Sequence, residues 1–309
     1  MNDMPDVQGE EMRSSFILTR VGIEGVKRPV IIRRPGREVT LVPTFDISVD
    51  LPAEQKGSHM SRHVEVIHRA VDHAVRDEND SLEKLVERVA RDLLRSHEYA
   101  AYADVKLSAD YFLQKESPDG RNVTENYRIF ARAKVRKDDE IPWRAIGVEV
   151  SGMSACPCAM ENVRVLLKRE LREKDIDEER LKILDMIPVP THNQKNRTFL
   201  EIGMAGPMDI EADELISLIE SNLSSPTYEI LKRKGEAELV LEAHRKPKFV
   251  EDVVRDIIDG FLDRYRNLPD EAVLHVKSVS EESIHKHDAF AERISDLGEL
   301  RDKTRYMKV

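Results

Sequence analysis

The chain has 309 residues and a formal net charge of −10, with Lys and Arg interspersed among Asp and Glu rather than massed. That length points to about two domains, or one doubled unit, and the acidic balance disfavours a nucleic-acid partner while leaving room for a small anion in a local basic pocket. No apolar run approaches the ~18 residues of a membrane helix, and the polar, acidic stretch Met1–Glu11 is unlike a signal peptide, so a cytoplasmic protein without a membrane partner is expected.

Residues 1–37 carry little periodicity and are expected to be partly disordered. From Val39 the chain alternates, with Phe45, Ile47 and Val49 on one face of a strand. The loop Leu51–Met60 leads into a helix whose apolar stripe reads Val64, Ile67, Val71 and Val75. Asp80 and Glu83 read as a capping box for a second helix striped by Leu82, Leu85, Val86, Val89 and Leu93. Three strands follow: Val105–Leu113, an alternation of Tyr127, Ile129, Ala131, Ala133 and Val135, and a third through Ile146, Val148 and Val150. Strand, two helices, then strands is the order of an α+β unit, with helices on one face of an antiparallel sheet.

The second half repeats the plan. Glu161–Ile183 reads as a charged helical insert, Phe199–Met204 as a short strand, and Leu215, Ile216, Ile219 and Leu223 as a helix stripe. Ala237–Leu241 looks extended. Phe249–Leu262 reads as a helix with Val250, Val253, Val254, Ile257 and Phe261 inward, and Ala272–Val279 as a closing strand. The expected organisation is a segment over 1–37, a first unit over 38–155, and a second over 156–309 that carries the insert at 161–183.

The two cysteines, Cys156 and Cys158, flank Pro157. They are too close for a comfortable disulfide, which leaves a ligand or nucleophile in a reducing compartment, or equally two small buried hydrophobes. Pro157 stiffens the turn and sends the two thiols different ways. His192 lies in the polar string Thr191-His192-Asn193-Gln194-Lys195, read as a loop. Loops hold functional side chains, and imidazole is a common metal ligand, although a lone loop histidine is more often simply solvated. In Glu282-Ser283-Ile284-His285-Lys286-His287-Asp288, two imidazoles stand beside carboxylates, which suits proton transfer, a metal, or a plain polar segment after the last strand. Glu236 and Glu251 sit beside basic residues as surface ion pairs would, but Glu251 opens a helix, where backbone donors could hold a carboxylate.

Together, the strings Leu51–Arg62, Ser154–Cys158, Thr191–Gln194, Lys232–Glu236, Lys248–Asp252 and Glu282–Asp288 resemble, in order, the type IB GTP cyclohydrolases. The resemblance implies two tandem tunnelling-fold units, antiparallel sheets with helices layered on one face, and a homodimer or homotetramer with active sites at interfaces. It implies a divalent metal, Fe(II) first with Zn or Mn open, on Cys158, His192 and Glu236. Cys158, Glu282, His285 and His287 would be catalytic. Glu251 would grip the guanine base, and Lys195 and His59 would also bind substrate. The insert at 161–183 resembles the archaeal, iron(II)-dependent branch, which takes GTP through formate release to 7,8-dihydroneopterin 2′,3′-cyclic phosphate. The alternatives are a cyclohydrolase giving 7,8-dihydroneopterin triphosphate, and a tunnelling-fold NADPH-dependent reductase with a cysteine nucleophile. A non-catalytic binding module on the same fold is a further rival.

Overall fold

A computed structural model describes residues 6–10, 16–34, 37–74 and 81–302. In chain order come β1 (Leu18–Lys27), β2 (Val30–Arg34), β3 (Arg37–Leu41), β4 (Thr44–Leu51), α1 (Met60–Ala74), α2 (Leu82–Ser96), β5 (Tyr102–Glu116), β6 (Asn122–Arg136) and β7 (Trp143–Ala155). There follow α3 (Pro157–Arg172), α4 (Glu178–Leu181), α5 (Ile183–Met186), β8 (Asn193–Ala205), α6 (Ala212–Asn222), β9 (Ser225–Pro226), α7 (Arg233–Arg245), α8 (Val250–Arg264), β10 (Val273–Glu281), β11 (Ala289–Asp296) and α9 (Leu297–Arg301). Two compact units emerge: Met1–Tyr111 with Arg128–Gly147 and Ile202–Ile210, and Phe112–Tyr127 with Val148–Glu201 and Glu211–Val309. The division is interleaved rather than a single cut after residue 155, because β5, β6, β7 and β8 each give one end to each unit.

In the first unit the strand order is β1-β4-β5-β6, and β1 with β4 and β4 with β5 pair antiparallel. Phe45, Ile47, Val49, Val105 and Leu107 are buried. β1 and β2 lie inside the span 1–37, where the sequence shows little periodicity. The reason is visible in the pairing: β1 breaks register with β4 between Leu18 and Val21 and again between Ile23 and Val26. A bulge shifts which face a side chain takes, and so erases the period-two signal. The stripe of α2 is as the sequence predicts, with Leu82, Leu85, Val86, Val89 and Leu93 buried. Its N-cap is Ser81, whose side chain accepts from the Lys84 N–H; Asp80 lies outside the described residues. The inward face of α1 is His63, Val66, Ile67 and Ala70 rather than a stripe through Val64, which is only half-buried. The core position there is held by an imidazole, which a count of apolar residues passes over. The expected Val71 and Val75 lie outside the described side chains.

In the second unit the order is β7-β8-β10-β11, with β9 on β7. α8 packs on β10 and β11, and α6 packs on α8. Val250, Val253, Val254, Ile257 and Phe261 of α8 are all buried, each contributing about 1.5–3 kcal/mol by leaving water. Between β8 and β10 runs a buried polar ladder. Asn196 Nδ2 donates to Ser278 Oγ at 2.8 Å, and Thr198 Oγ1 donates to Asn196 Oδ1 at 2.7 Å.

Three further expectations are corrected. Ala237–Leu241 is helical, inside α7, because Gly235, Leu239 and Ala243 recur every four residues as a thin buried stripe. The chain does not close at Val279: β10 turns into β11 and α9, and Glu282–Asp288 is the hairpin connection rather than a tail. The helix read over Glu161–Ile183 starts earlier, at Pro157, and is broken after α3 where Asp175 takes φ 60°.

Candidate active site

The Cys-Pro-Cys string is a helix start. Cys156 is the N-cap of α3, its sulfur accepting from the Ala159 N–H at 3.4 Å. Pro157 takes the first helical position, where its missing N–H costs no hydrogen bond. The two sulfurs therefore differ in role: Cys156 caps the helix, and Cys158 is exposed in its first turn, with Asn162 Nδ2 3.6 Å away.

Two hydrogen bonds tie this helix start to the His192 segment. The Cys156 N–H donates to the His192 carbonyl at 3.2 Å, and Thr191 Oγ1 donates to the Cys156 carbonyl at 2.8 Å. β8 begins at Asn193, so Asn193, Gln194 and Lys195 are strand residues rather than loop residues, and His192 sits at the strand's entry. His192 Nε2 lies 3.6 Å from Glu282 Oε2, with both side chains mostly covered (14% and 11% exposed). Gln194 Nε2 donates to the other oxygen of Glu282 at 3.3 Å. Behind Gln194, Ser154 Oγ donates to Gln194 Oε1 at 3.4 Å and meets Ser280 Oγ at 3.3 Å. Glu282 thus turns to His192 and Gln194, and not to the neighbouring histidines of its own loop.

The start of α8 joins the same region, because the Lys248 N–H donates to the Ala155 carbonyl at 3.0 Å. The first turn of α8 is capped by Asp252, whose carboxylate accepts from the Phe249 N–H at 3.0 Å. Glu251 is left exposed, with its carboxylate directed to no backbone donor among the described residues. Glu236, on α7, lines a cavity of about 790 Å³ together with Thr191 and Asn193, the two neighbours of His192. His244 lines it too, with Nε2 3.5 Å from the Thr191 carbonyl. Nothing in the sequence singled out His244.

The remaining expected residues lie apart. Lys195 is exposed on the face of β8 opposite the buried Gln194. His285 and His287 are exposed in the β10–β11 connection and stack on each other, centroids 5.4 Å apart and 14° between planes. His59 belongs to the first unit, where its Nε2 lies 3.0 Å from the Asp6 carboxylate. The hydrogen bond with His59 holds the Asp6 carboxyl below its ordinary range. As for a metal, Cys158, His192 and Glu236 offer one soft and two harder donors, a set suited to Zn or Fe. Yet among the described residues no group of three or more His, Cys, Asp or Glu is close enough to hold an ion. The donor types fit a divalent metal; the arrangement does not form a ready cage.

Antiparallel sheets with a helical layer, in two units, define a tunnelling-fold α+β protein. A uricase from Bacillus fastidious superposes on 94% of this chain and 96% of its own with a TM-score of 0.51 at 13% identity, a likeness of fold alone. The chain belongs to the type I GTP cyclohydrolase (FolE2) family, whose model matches residues 4–291. It is 40% identical to GTP cyclohydrolase MptA of Methanosphaera stadtmanae over 310 residues, 99% of each chain. It is also 40% identical to GTP cyclohydrolase MptA of Methanothermobacter thermautotrophicus, over 96% of this chain and 95% of that one. Among the described residues no helix is long and apolar enough to cross a membrane.

Proposed function

We propose that this GTP cyclohydrolase opens GTP at C8 of guanine, releases formate and ends at 7,8-dihydroneopterin 2′,3′-cyclic phosphate, in pterin biosynthesis in the cytoplasm. The observation that carries the reading is the joining, in one unit, of Cys156, at the start of the helix that carries Cys158, to the His192 segment by hydrogen bonds, and of His192 to Glu282 by close contact. The class of activity is that of the family; the choice of product rests on the α3–α5 insert, which resembles the archaeal branch.

The side chains are suited to the steps this reaction needs. The half-buried His192 faces a carboxylate through Nε2, and a carboxylate there favours the tautomer with its proton on Nε2. Gln194, itself held by Ser154, donates to that carboxylate from behind, so the ring's orientation is fixed before substrate arrives. Glu251, exposed at the first turn of α8, is placed to accept from the N1–H and 2-amino group of guanine, a bidentate arrangement. His285 and His287, on a connection that starts at Glu282, are the proposed donors of a proton to the imidazole nitrogen as the ring opens. Lys195 is a proposed phosphate partner, and His59 is proposed to bind substrate. A divalent metal, Fe(II) first, remains part of the proposal on the chemistry of Cys158, His192 and Glu236; such an ion would activate water. A homodimer or homotetramer is proposed as the working form.

Anaerobic incubation with GTP and Fe(II), with formate and pterin followed by mass spectrometry, tests the reading. Formate together with a cyclic phosphate is expected. A product retaining three phosphates overturns the choice of product, and no formate overturns the reaction. In the same assay, His285→Ala and His287→Ala are each expected to slow turnover about 10²–10⁴-fold.

A further inference from the structure

The first unit carries a cavity of about 670 Å³ that is lined by none of the candidate active-site residues. Its size is that of a small-molecule site. Its aromatic walls are Tyr102, from the start of β5, and Trp143, from the start of β7. Two cations, Lys134 and Arg136, reach it from the last turns of β6, where alternation puts residues 134 and 136 on one face.

Each wall is held in place. A Cβ at Gly203 would stand 2.1 Å from Trp143 Cζ2, so the indole lies against the β8 backbone at the one residue type that admits it. The Lys134 ammonium sits over the Trp143 ring, 4.6 Å from its centroid. Burial pushes the Tyr102 hydroxyl above its ordinary pKa, so it is a neutral hydrogen-bonding group at any working pH.

The two carboxylates that also line the cavity are already engaged by backbone. Asp50 Oδ1 accepts from the Ala101 and Tyr102 N–H groups at 2.8 and 2.7 Å, and Asp139 Oδ2 accepts from the Arg136 N–H at 2.8 Å. The exposed Arg136 side chain lines the cavity, and its guanidinium makes no ion pair with a carboxylate among the described residues. Aromatic walls beside cations are a site for a flat ring joined to an anion: the Lys134 ammonium leaves the Trp143 face for the phosphate oxygens, which the Arg136 guanidinium also takes, and the ring packs on the uncovered indole and on Tyr102.

We propose that this cavity is a second ligand site, distinct from the site in the other unit, and that its ligand class is a nucleotide. Trp143 is the only tryptophan in the chain, so its emission reports on this cavity directly. The test is a titration of the full chain with ATP and, separately, GTP, following Trp143 fluorescence corrected for absorption. Saturable quenching by either nucleotide is expected, with adenosine or guanosine, lacking phosphate, needing about tenfold or more higher concentration. The double variant Lys134→Gln/Arg136→Gln should raise the half-saturating concentration about ten- to a hundredfold, the usual cost of losing hydrogen bonds to charged groups, while formate release from GTP is unchanged. Should the double variant fold poorly, Arg136→Gln alone, at an exposed position, should still weaken quenching several-fold. Glu251→Gln should leave the quenching intact. Quenching that never saturates with either nucleotide, or that survives unchanged in the Lys134 and Arg136 variants, overturns the proposal.

Discussion

Glu251 is exposed because Asp252 beside it has taken the capping bond of α8. A carboxylate not used for capping is available to a ligand, and the proposal gives it the guanine edge. Adenine lacks the N1–H and 2-amino donors, so its binding would leave that carboxylate unpaired. Glu251→Gln replaces one acceptor oxygen with a donor. It is expected to weaken GTP binding by roughly ten- to a hundredfold, the scale of a hydrogen bond to a charged group, and to spare the fold. Calorimetry under non-turnover conditions checks this; an affinity for GTP equal to that of the parent chain removes Glu251 from base recognition.

His63 is an acid-sensitive residue of a different kind. It is fully buried on the inward face of α1, bonded to Ser58 Oγ at 3.0 Å and 4.4 Å from the His97 ring between centroids. Burial first, and the neighbouring His97 second, push its pKa down to about 4. The unfolded chain takes up a proton on this histidine near pH 6.5, and the folded chain does not until about pH 4. Its stabilising contribution is therefore present above pH 6.5 and is lost as pH falls towards 4. The slope from one such group is about 1.4 kcal/mol per pH unit. Urea unfolding at pH 7, 6 and 5 should show this fall in stability, and His63→Leu should flatten it. An equal slope in both proteins would mean that other groups set the acid limit.

At the scale of elements, the sequence is legible where one face meets one core. α2, α6 and α8 show their stripes directly, and β4, β6 and β7 their alternation, because in each most of the buried residues are hydrocarbons, with few polar exceptions such as Glu83, Ser48, Glu125 and Ser154. It is not legible where the buried face is polar. β8 buries Gln194, Asn196 and Thr198, so the entry of that strand looks like a solvated loop, although His192 itself was identifiable as a candidate. α7 escaped because its buried stripe is only Gly235, Leu239 and Ala243. Single candidates such as His192 and Glu282 are legible from residue type, but their pairing spans ninety positions of chain and is made by the sheet. Gly203 gives a test at this scale. Gly203→Ala drives a methyl into Trp143 and should cost about 1–3 kcal/mol by overpacking, with a shifted tryptophan emission. Parent-like stability with unchanged emission would show that the ring has room to move.

For the whole molecule, the metal proposal asks three separate elements to cooperate. Cys158 comes from α3, His192 from the entry to β8 and Glu236 from α7, and the described chain does not hold them as a finished cage. Binding must then draw them together, and removing the exposed sulfur donor should be decisive. Cys158→Ala is expected to lose tight Fe(II) and Zn binding in equilibrium dialysis, and turnover with it. Full metal content in that variant would take Cys158 out of the ligand set. Fold class, by contrast, was readable at this scale from the order of elements alone, since strand, helix pair and strands allow few antiparallel packings.

The polar ladder of Asn196, Thr198 and Ser278 has a consequence for the pair several residues away. Hydrocarbons in a sheet tolerate a slide of two residues, since the same faces still meet. Directional bonds do not, because each donor must find its own acceptor. A slide of β10 along β8 by two residues would carry Glu282 about 7 Å away from His192. The ladder acts as a ratchet tooth: β8 and β10 seat at one setting, and it is the setting at which imidazole and carboxylate face each other.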